Sequence, residues 1–155
     1  MTGKTYKPGD SPGLVPYINV AGAASAISWY QNTLGAQVRN HLTLPDGQVM
    51  HAELVIDNNL VMITDANPEW GTRPPDTQAT YSLCLYVQDC DALFERCIAE
   101  GAQALQEPED QFWGDRSGRL KDPYGVVWVL MTHQEAVSEE ELQTRFRAMM
   151  EDSQA

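Results

Sequence analysis

The feature that most restricts the fold is a duplication. Residues 14–37 read LVPYINVAGAASAISWYQNTLGAQ, and residues 81–103 read YSLCLYVQDCDALFERCIAEGAQ. Each segment is an alternating strand ending in valine (Val20, Val87), then a helical stretch, then Gly-Ala-Gln at 35–37 and 101–103. A glycine directly after a helix supplies the left-handed residue that ends it. Turn signals follow each copy: Pro45-Asp46-Gly47 and Asn58-Asn59 in the first, Ser117-Gly118 and Asp122-Pro123-Tyr124-Gly125 in the second. The order predicted is strand-helix-strand-strand-strand, twice.

The helices carry their own periodicity. Cys90, Leu93, Phe94, Cys97 and Ile98 recur at the spacing of one helical face. Ser138 and Glu141 form a capping box ahead of Leu142, Phe146, Met149 and Met150, which predicts a third helix closing the chain. The expected fold class is α+β, with two βαβββ modules forming curved mixed sheets around a cavity, plus a C-terminal helix. The expected segments are a flexible lead-in at 1–13, a domain at 14–135 built from modules 14–66 and 78–133, and a helix and tail at 136–155.

Composition excludes several function classes. The net charge is −12, and ten Lys and Arg are scattered along 155 residues, so neither a nucleic-acid backbone nor an anionic membrane finds a basic patch. No apolar run approaches the ~20 residues of a bilayer span, and MTGKTYKPGDSPG has no apolar signal core. Cys84, Cys90 and Cys97 form neither an even disulfide set nor a CxxC pair, and reduced thiols predict the cytoplasm. P-loop, GxGxxG, GxSxG and HExxH motifs are absent from the sequence.

Strand parity then assigns faces. Leu14, Ile18 and Val20 point to the helix side, leaving Val15, Tyr17 and Asn19 opposite. Leu83, Leu85 and Val87 point inward, leaving Ser82, Cys84 and Tyr86. Met50, Ala52, Leu54 and Ile56 share one face, and Val49, His51, Glu53 and Val55 the other. A three-residue loop at 45–47 pairs Leu44 with Gln48. Continued without interruption, this register sets Leu42 against Met50, His41 against His51 and Arg39 against Glu53. The second face is thus expected to carry Tyr17, Asn19, Arg39, His41, His51, Glu53, Cys84 and Tyr86.

Three stretches, VPYINVAGAASAISWYQNTLGAQV, PDGQVMHAEL and DQFWGDRSGRLKDPYGVVWVLMTHQE, make the chain resemble the vicinal-oxygen-chelate superfamily of glyoxalases, bleomycin-resistance proteins and dioxygenases, and within it the PhnB-like branch. The resemblance implies a small-molecule cavity between curved sheets and a homodimer. It also implies metal ligands at four positions, which fall here on Val15, Ser82, Ile63 and Val129. Three hydrocarbons and one hydroxyl cannot hold a divalent cation, so neither a metal nor another cofactor is expected.

Val127, Val129 and Met131 are expected to form an apolar wall, and Val126, Trp128 and Leu130 the core behind it. The expected ligand-binding residues are Tyr17, Asn19, Arg39, His41, Tyr86, Trp113, Arg116 and Val129. His133 is expected to be structural. His51 beside Glu53 is the candidate catalytic pair, since an imidazole near a carboxylate suits a general base; His41 could join them in a displaced metal site. The functional expectation is a metal-free protein that binds a small molecule and sequesters drugs. The alternative is a lyase, isomerase or oxygenase using a non-standard metal or His51 as general base.

Overall fold

A computed structural model of the chain describes residues 6–153. The repeat emerges as two units. The first, Met1–Gln78, contains β1 (Tyr17–Val20), α1 (Ala23–Leu34), β2 (Gln37–Thr43), β3 (Val49–Ile56) and β4 (Asn59–Asp65). The second, Ala79–Ala155, contains β5 (Leu83–Tyr86), α2 (Cys90–Ala99), β6 (Gln103–Asp110), β7 (Asp115–Lys121), β8 (Val127–His133) and the closing α3 (Glu139–Asp152). Each unit holds one four-stranded mixed sheet, ordered β1-β4-β3-β2 and β5-β8-β7-β6. The first and last strands of each unit run parallel, and the remaining pairs are antiparallel. The fold is α+β, with two βαβββ modules and a C-terminal helix, as the duplication predicts. No described helix is long and apolar enough to cross a membrane.

Within each unit the helix covers one face of its sheet. Ala26, Ile27 and Tyr30 of α1 are buried together with Ile18, Ala52, Leu54 and Ile63. Cys90, Leu93, Phe94 and Cys97 of α2 are buried together with Leu85, Leu120, Trp128 and Leu130. The two cysteines are core residues, as their spacing predicts, and burial pushes the Cys97 thiol up to about 11. Gly118 lies under α2: an added Cβ would meet Phe94 and Pro108 at 3.0 Å.

The last strand of each unit holds the amino terminus of that unit's helix. Gly22, which precedes α1, has no capping side chain. Asp65 of β4 supplies the missing acceptor: its Oδ1 accepts from the backbone N–H groups of Gly22 (2.8 Å) and Ala23 (3.0 Å). Its Oδ2 accepts from the N–H of Val49 at 2.8 Å, tying the start of β3 to the same carboxylate. In the second unit Thr132 of β8 does the equivalent work. Its hydroxyl accepts from the Cys90 N–H (2.9 Å) and donates to the Val87 carbonyl (3.0 Å), while Asp89 caps α2 from its own chain position. Unsatisfied N–H groups at a helix start favour an acidic or hydroxyl partner.

Several local expectations differ from the structure. Leu14 is 91% exposed, because β1 begins only at Tyr17. The β3–β4 turn is Asp57-Asn58, both with positive φ (46° and 61°), and Asn59 already pairs with Ile56; two left-handed residues make the tight hairpin turn that suits sheet twist. Ser117 and Gly118 are mid-strand in β7, and the turn before it centres on Gly114 (φ 100°). Of the lead-in 1–13, residues 1–5 lie outside the described residues. Within the remainder, Asp10 binds Arg39 through two contacts of 2.9 Å.

The most consequential difference is in the first hairpin. The Leu44 N–H donates to the Gln48 carbonyl and Thr43 pairs with Val49, as the three-residue loop requires. Met50 is then an additional residue, so Leu42 faces His51, His41 faces Ala52 and Asn40 faces Glu53. Such a bulge exchanges the faces on either side of it: Val49 is buried and Met50 exposed, the reverse of simple alternation. Thr64 fixes this irregularity by donating towards the carbonyls of Val49 (3.1 Å) and Met50 (2.9 Å).

Asp65→Ala removes a charged cap and the anchor of β3 together. It is expected to lower stability by about 2 kcal/mol, read as a reduced urea midpoint with an unchanged slope, and Asp65→Asn is expected to cost less.

Candidate functional site

α1 and α2 leave the other face of each sheet uncovered by helix, and polar and aromatic side chains concentrate there, although Asp115, Ser117, Val127 and Met131 are themselves buried on it. In the first unit Tyr17 pairs with Met62 and Met62 with Glu53, so these share the uncovered face with His51, Asn19 and Leu42. Tyr17 Oη and His51 Nδ1 share a hydrogen bond of 2.8 Å, with the rings edge to face. His51 Nε2 lies 3.8 Å from Glu53, whose other oxygen lies 3.6 Å from Arg39 Nε. Burial pushes the Tyr17 phenol up. Asp10, hydrogen-bonded to Arg39, holds that guanidinium firmly in its charged form.

His41 is not part of this cluster. The bulge places it opposite Ala52, on the other face, where its Nε2 shares a hydrogen bond with the Thr43 hydroxyl (3.0 Å). The expected His41–His51 facing pair is therefore not formed, because Met50 interrupts the register. No group of three or more His, Cys, Asp or Glu side chains among the described residues is placed to hold a metal ion.

In the second unit the uncovered face presents Cys84 and Tyr86 of β5, Val129, Met131 and His133 of β8, and Asp115 and Ser117 of β7. Asp115 is only 4% exposed and accepts three side-chain hydrogen bonds. Tyr86 Oη (2.8 Å) and Trp113 Nε1 (3.1 Å) donate to Oδ2, and His133 Nδ1 lies 2.8 Å from Oδ1. Burial pushes the Asp115 carboxyl up, but the bonds from His133, Tyr86 and Trp113 outweigh it and hold the group below the usual carboxylate range. The bond to Asp115 in turn raises the Tyr86 phenol. Sequence reading named Tyr86 and Trp113 but passed over Asp115, which joins them, and assigned His133 only a structural part. The signal was available: counting back from the three-residue loop at 123–125 sets Asp115 opposite His133, as observed.

Arg116 points elsewhere. It pairs with Thr132, towards the α2 terminus, and clamps Asp91 through Nε (2.6 Å) and Nη2 (2.8 Å), with Asp110 at 3.2 Å. These partners push the guanidinium up, and Arg116 pulls the Asp91 carboxyl down. It fastens β7 and β6 to α2, away from the face that carries Tyr86 and Val129.

The positions where a divalent cation would be held offer no suitable donors. Val129 pairs with Cys84 on the uncovered face. The matching residue in the first unit is Met62, paired with Tyr17, rather than Ile63, which is buried beneath α1. Val15 and Ser82 precede the two first strands. A valine, a thioether, a second valine and a hydroxyl do not fit a hard divalent ion.

A family model, the Glyoxalase/Bleomycin resistance protein/Dioxygenase superfamily, matches residues 14–130. The chain belongs to that superfamily. An uncharacterized protein of Mycobacterium bovis is 36% identical over 137 residues, covering 85% of this chain and 90% of its own. Among solved structures, a PhnB protein of Bacillus cereus, described as a putative 3-demethylubiquinone-9 3-methyltransferase, has a TM-score of 0.64 at 18% identity, over 77% of this chain and 98% of that one. The fosfomycin resistance protein FosX of Listeria monocytogenes, in complex with Mn(II) and sulfate, has a TM-score of 0.61 at 19% identity, over 87% of this chain and 98% of that one. At such identities the two structures share the fold with this chain.

Asp115→Asn puts an amide among three donors and is expected to cost about 1–3 kcal/mol at neutral pH. Because the folded carboxyl is held below its usual value, its stabilisation is complete above the unfolded value and is lost as pH falls through the folded one. Acid unfolding followed by circular dichroism should therefore be less steep in Asp115→Asn than in the wild type.

Proposed function

We propose that the chain is a small-molecule-binding protein, holding an aromatic or amphipathic ligand on the uncovered sheet faces without a divalent cation. One observation carries this reading. Tyr17, Tyr86 and Trp113 stay 38–53% exposed, yet their polar atoms are already engaged by His51 and Asp115. Their rings are thus oriented from behind and offered at the surface beside Met62 and Val129, the combination of apolar surface and few directed polar groups that ligand sites use. Asn19, Arg39 and Glu53 supply the polar contacts of the first unit. The net charge of −12 favours cationic ligands, and sequestration of a drug-like cation is the role this suits. A cytoplasmic homodimer is the assembly we infer from the superfamily.

A second reading has one observation in its favour. His51 is steadied by Tyr17 beside Glu53, the setting of a general base. In that case the bound compound would be recovered as product rather than unchanged.

A thermal-shift panel of cationic aromatics, peptide antibiotics and anionic aromatic sulfonates tests the binding proposal. A cationic aromatic at one hundred times its Kd is expected to add about 2.7 kcal/mol, a rise in Tm of roughly 5–10 °C, with sulfonates weaker. No response to any cation or peptide antibiotic contradicts the proposal.

A further inference from the structure

The second unit contains a titratable pair that ligand binding alone does not require. Asp115 Oδ2 is surrounded by donors: the Trp113 indole N–H can only donate, and the Tyr86 hydroxyl donates to it as well. With these bonds also holding its carboxyl below the usual carboxylate range, Asp115 is an ionised, acceptor-only carboxylate at neutral pH, and the His133 Nδ1 that meets Oδ1 at 2.8 Å is assigned the hydrogen. That fixes the tautomer. In the neutral imidazole Nε2 is left with its lone pair, and it has no protein partner among the described residues. The His133 side chain is 60% exposed, while the carboxylate behind it is 5% exposed. A buried carboxylate holding one ring nitrogen and an open second nitrogen is the arrangement that makes an imidazole an oriented proton acceptor.

The duplication shows that this pair is not a requirement of the scaffold. Counted from the equivalent pairs Ala52–Ile63 and Gly118–Leu130, the first unit has Ala66 where the second has His133, and, allowing for the extra residue at Met50, Gln48 where it has Asp115. Counted from the first strands, it has Asn19 where the second has Tyr86. The same βαβββ frame thus forms without a carboxylate, an imidazole or a phenol at those positions.

We propose that Asp115 and His133 form a proton-accepting dyad on the uncovered face of the second unit, and that its ligand is an aromatic compound bearing a weakly acidic hydroxyl. The ring lies against the exposed surfaces of Tyr86 and Trp113. The O–H bond of the ligand breaks, the proton moves to His133 Nε2, and the electron pair stays on the ligand oxygen. The resulting imidazolium is stabilised by Asp115, and the bound pair is phenolate and imidazolium. This rests on the proposed function's claim that the uncovered face binds ligands and goes beyond it: the second unit takes a neutral, acidic ligand, and the charge left on it is matched locally by the imidazolium and not by the net charge of the chain.

The test compares 4-nitrophenol with its methyl ether, 4-nitroanisole, which has the same ring but no acidic proton. Both are titrated by calorimetry and visible absorbance into the full chain and into His133→Gln, a substitution at an exposed side chain. The wild type is expected to bind the phenol at least tenfold more tightly than the ether and to develop the phenolate absorbance where the free phenol is still protonated. His133→Gln is expected to bring the phenol down to the affinity of the ether. Long-range proton–nitrogen NMR of the ligand-free wild type is expected to show His133 protonated at Nδ1. An ether bound as tightly as the phenol, a preference that survives in His133→Gln, or a proton on Nε2 alone overturns the dyad while leaving ligand binding intact. Binding of neither probe, with no cation responding in the thermal-shift panel, overturns both.

Discussion

The structure depends on how the last strand of each unit holds its helix. Asp65 and Thr132 occupy corresponding places: Asp65 stands opposite Val20, and Thr132 bonds to Val87, the matching valine of the repeat. Each meets the first N–H groups of the helix that follows that valine. A helix anchored at its start by the strand lying beside β1 or β5 can cover only one face of the sheet. The opposite face is left free for other side chains. One copy uses a carboxylate and the other a hydroxyl, so the duplication preserved the geometry of the tie and not its chemistry. Asp65 does more than its counterpart, since it also fixes where β3 begins.

That difference accounts for what was legible in the sequence. The repeat, the helix stripes and the three-residue loops are local patterns, and they led directly to two βαβββ modules. Alternation identified the uncovered residues of the second unit, Cys84, Tyr86 and Val129, because nothing interrupts β8 or its pairing with β7. In the first unit the same reasoning holds for one pair beyond the loop and then fails at Met50. The bulge is held by Thr64 and Asp65, side chains fourteen to sixteen positions away in the chain. A long-range hydrogen bond from a side chain to the backbone leaves no periodic trace, so His41 was placed on the wrong face. The metal position of the first unit was likewise displaced by one residue, to Ile63 from Met62. Arg116 was expected among the ligand-binding residues; its ion pair with Asp91 on α2, far away in the sequence, is not visible in any local pattern.

The two uncovered faces solve one problem in different ways. Each surrounds an aromatic ring with polar groups that orient it from its hydroxyl or indole edge. The first does so with a neighbouring imidazole and a Glu53–Arg39 pair at 3.6 Å, in which exposure to solvent weakens the charges. The second uses a single buried carboxylate that three donors share, where water competes less and the hydrogen bonds are correspondingly stronger. Neither face offers the oxygen and nitrogen donors that would hold a divalent ion at the corners the superfamily uses. Its residues instead suit recognition by rings and directed hydrogen bonds, with the negative charge of the whole chain setting the preferred sign of the ligand.

Four of the six methionines report on where a ligand sits, because Met62 and Met131 lie on the uncovered faces while Met149 and Met150 lie on α3. In protein labelled at the methionine methyls, titration with ethidium, an aromatic cation, is followed by carbon–proton NMR. Ethidium held on these faces should give saturable shifts at Met62, Met131 or both, with Met149 and Met150 unmoved. Shifts confined to the α3 methyls, or none at saturating ethidium, would contradict binding there.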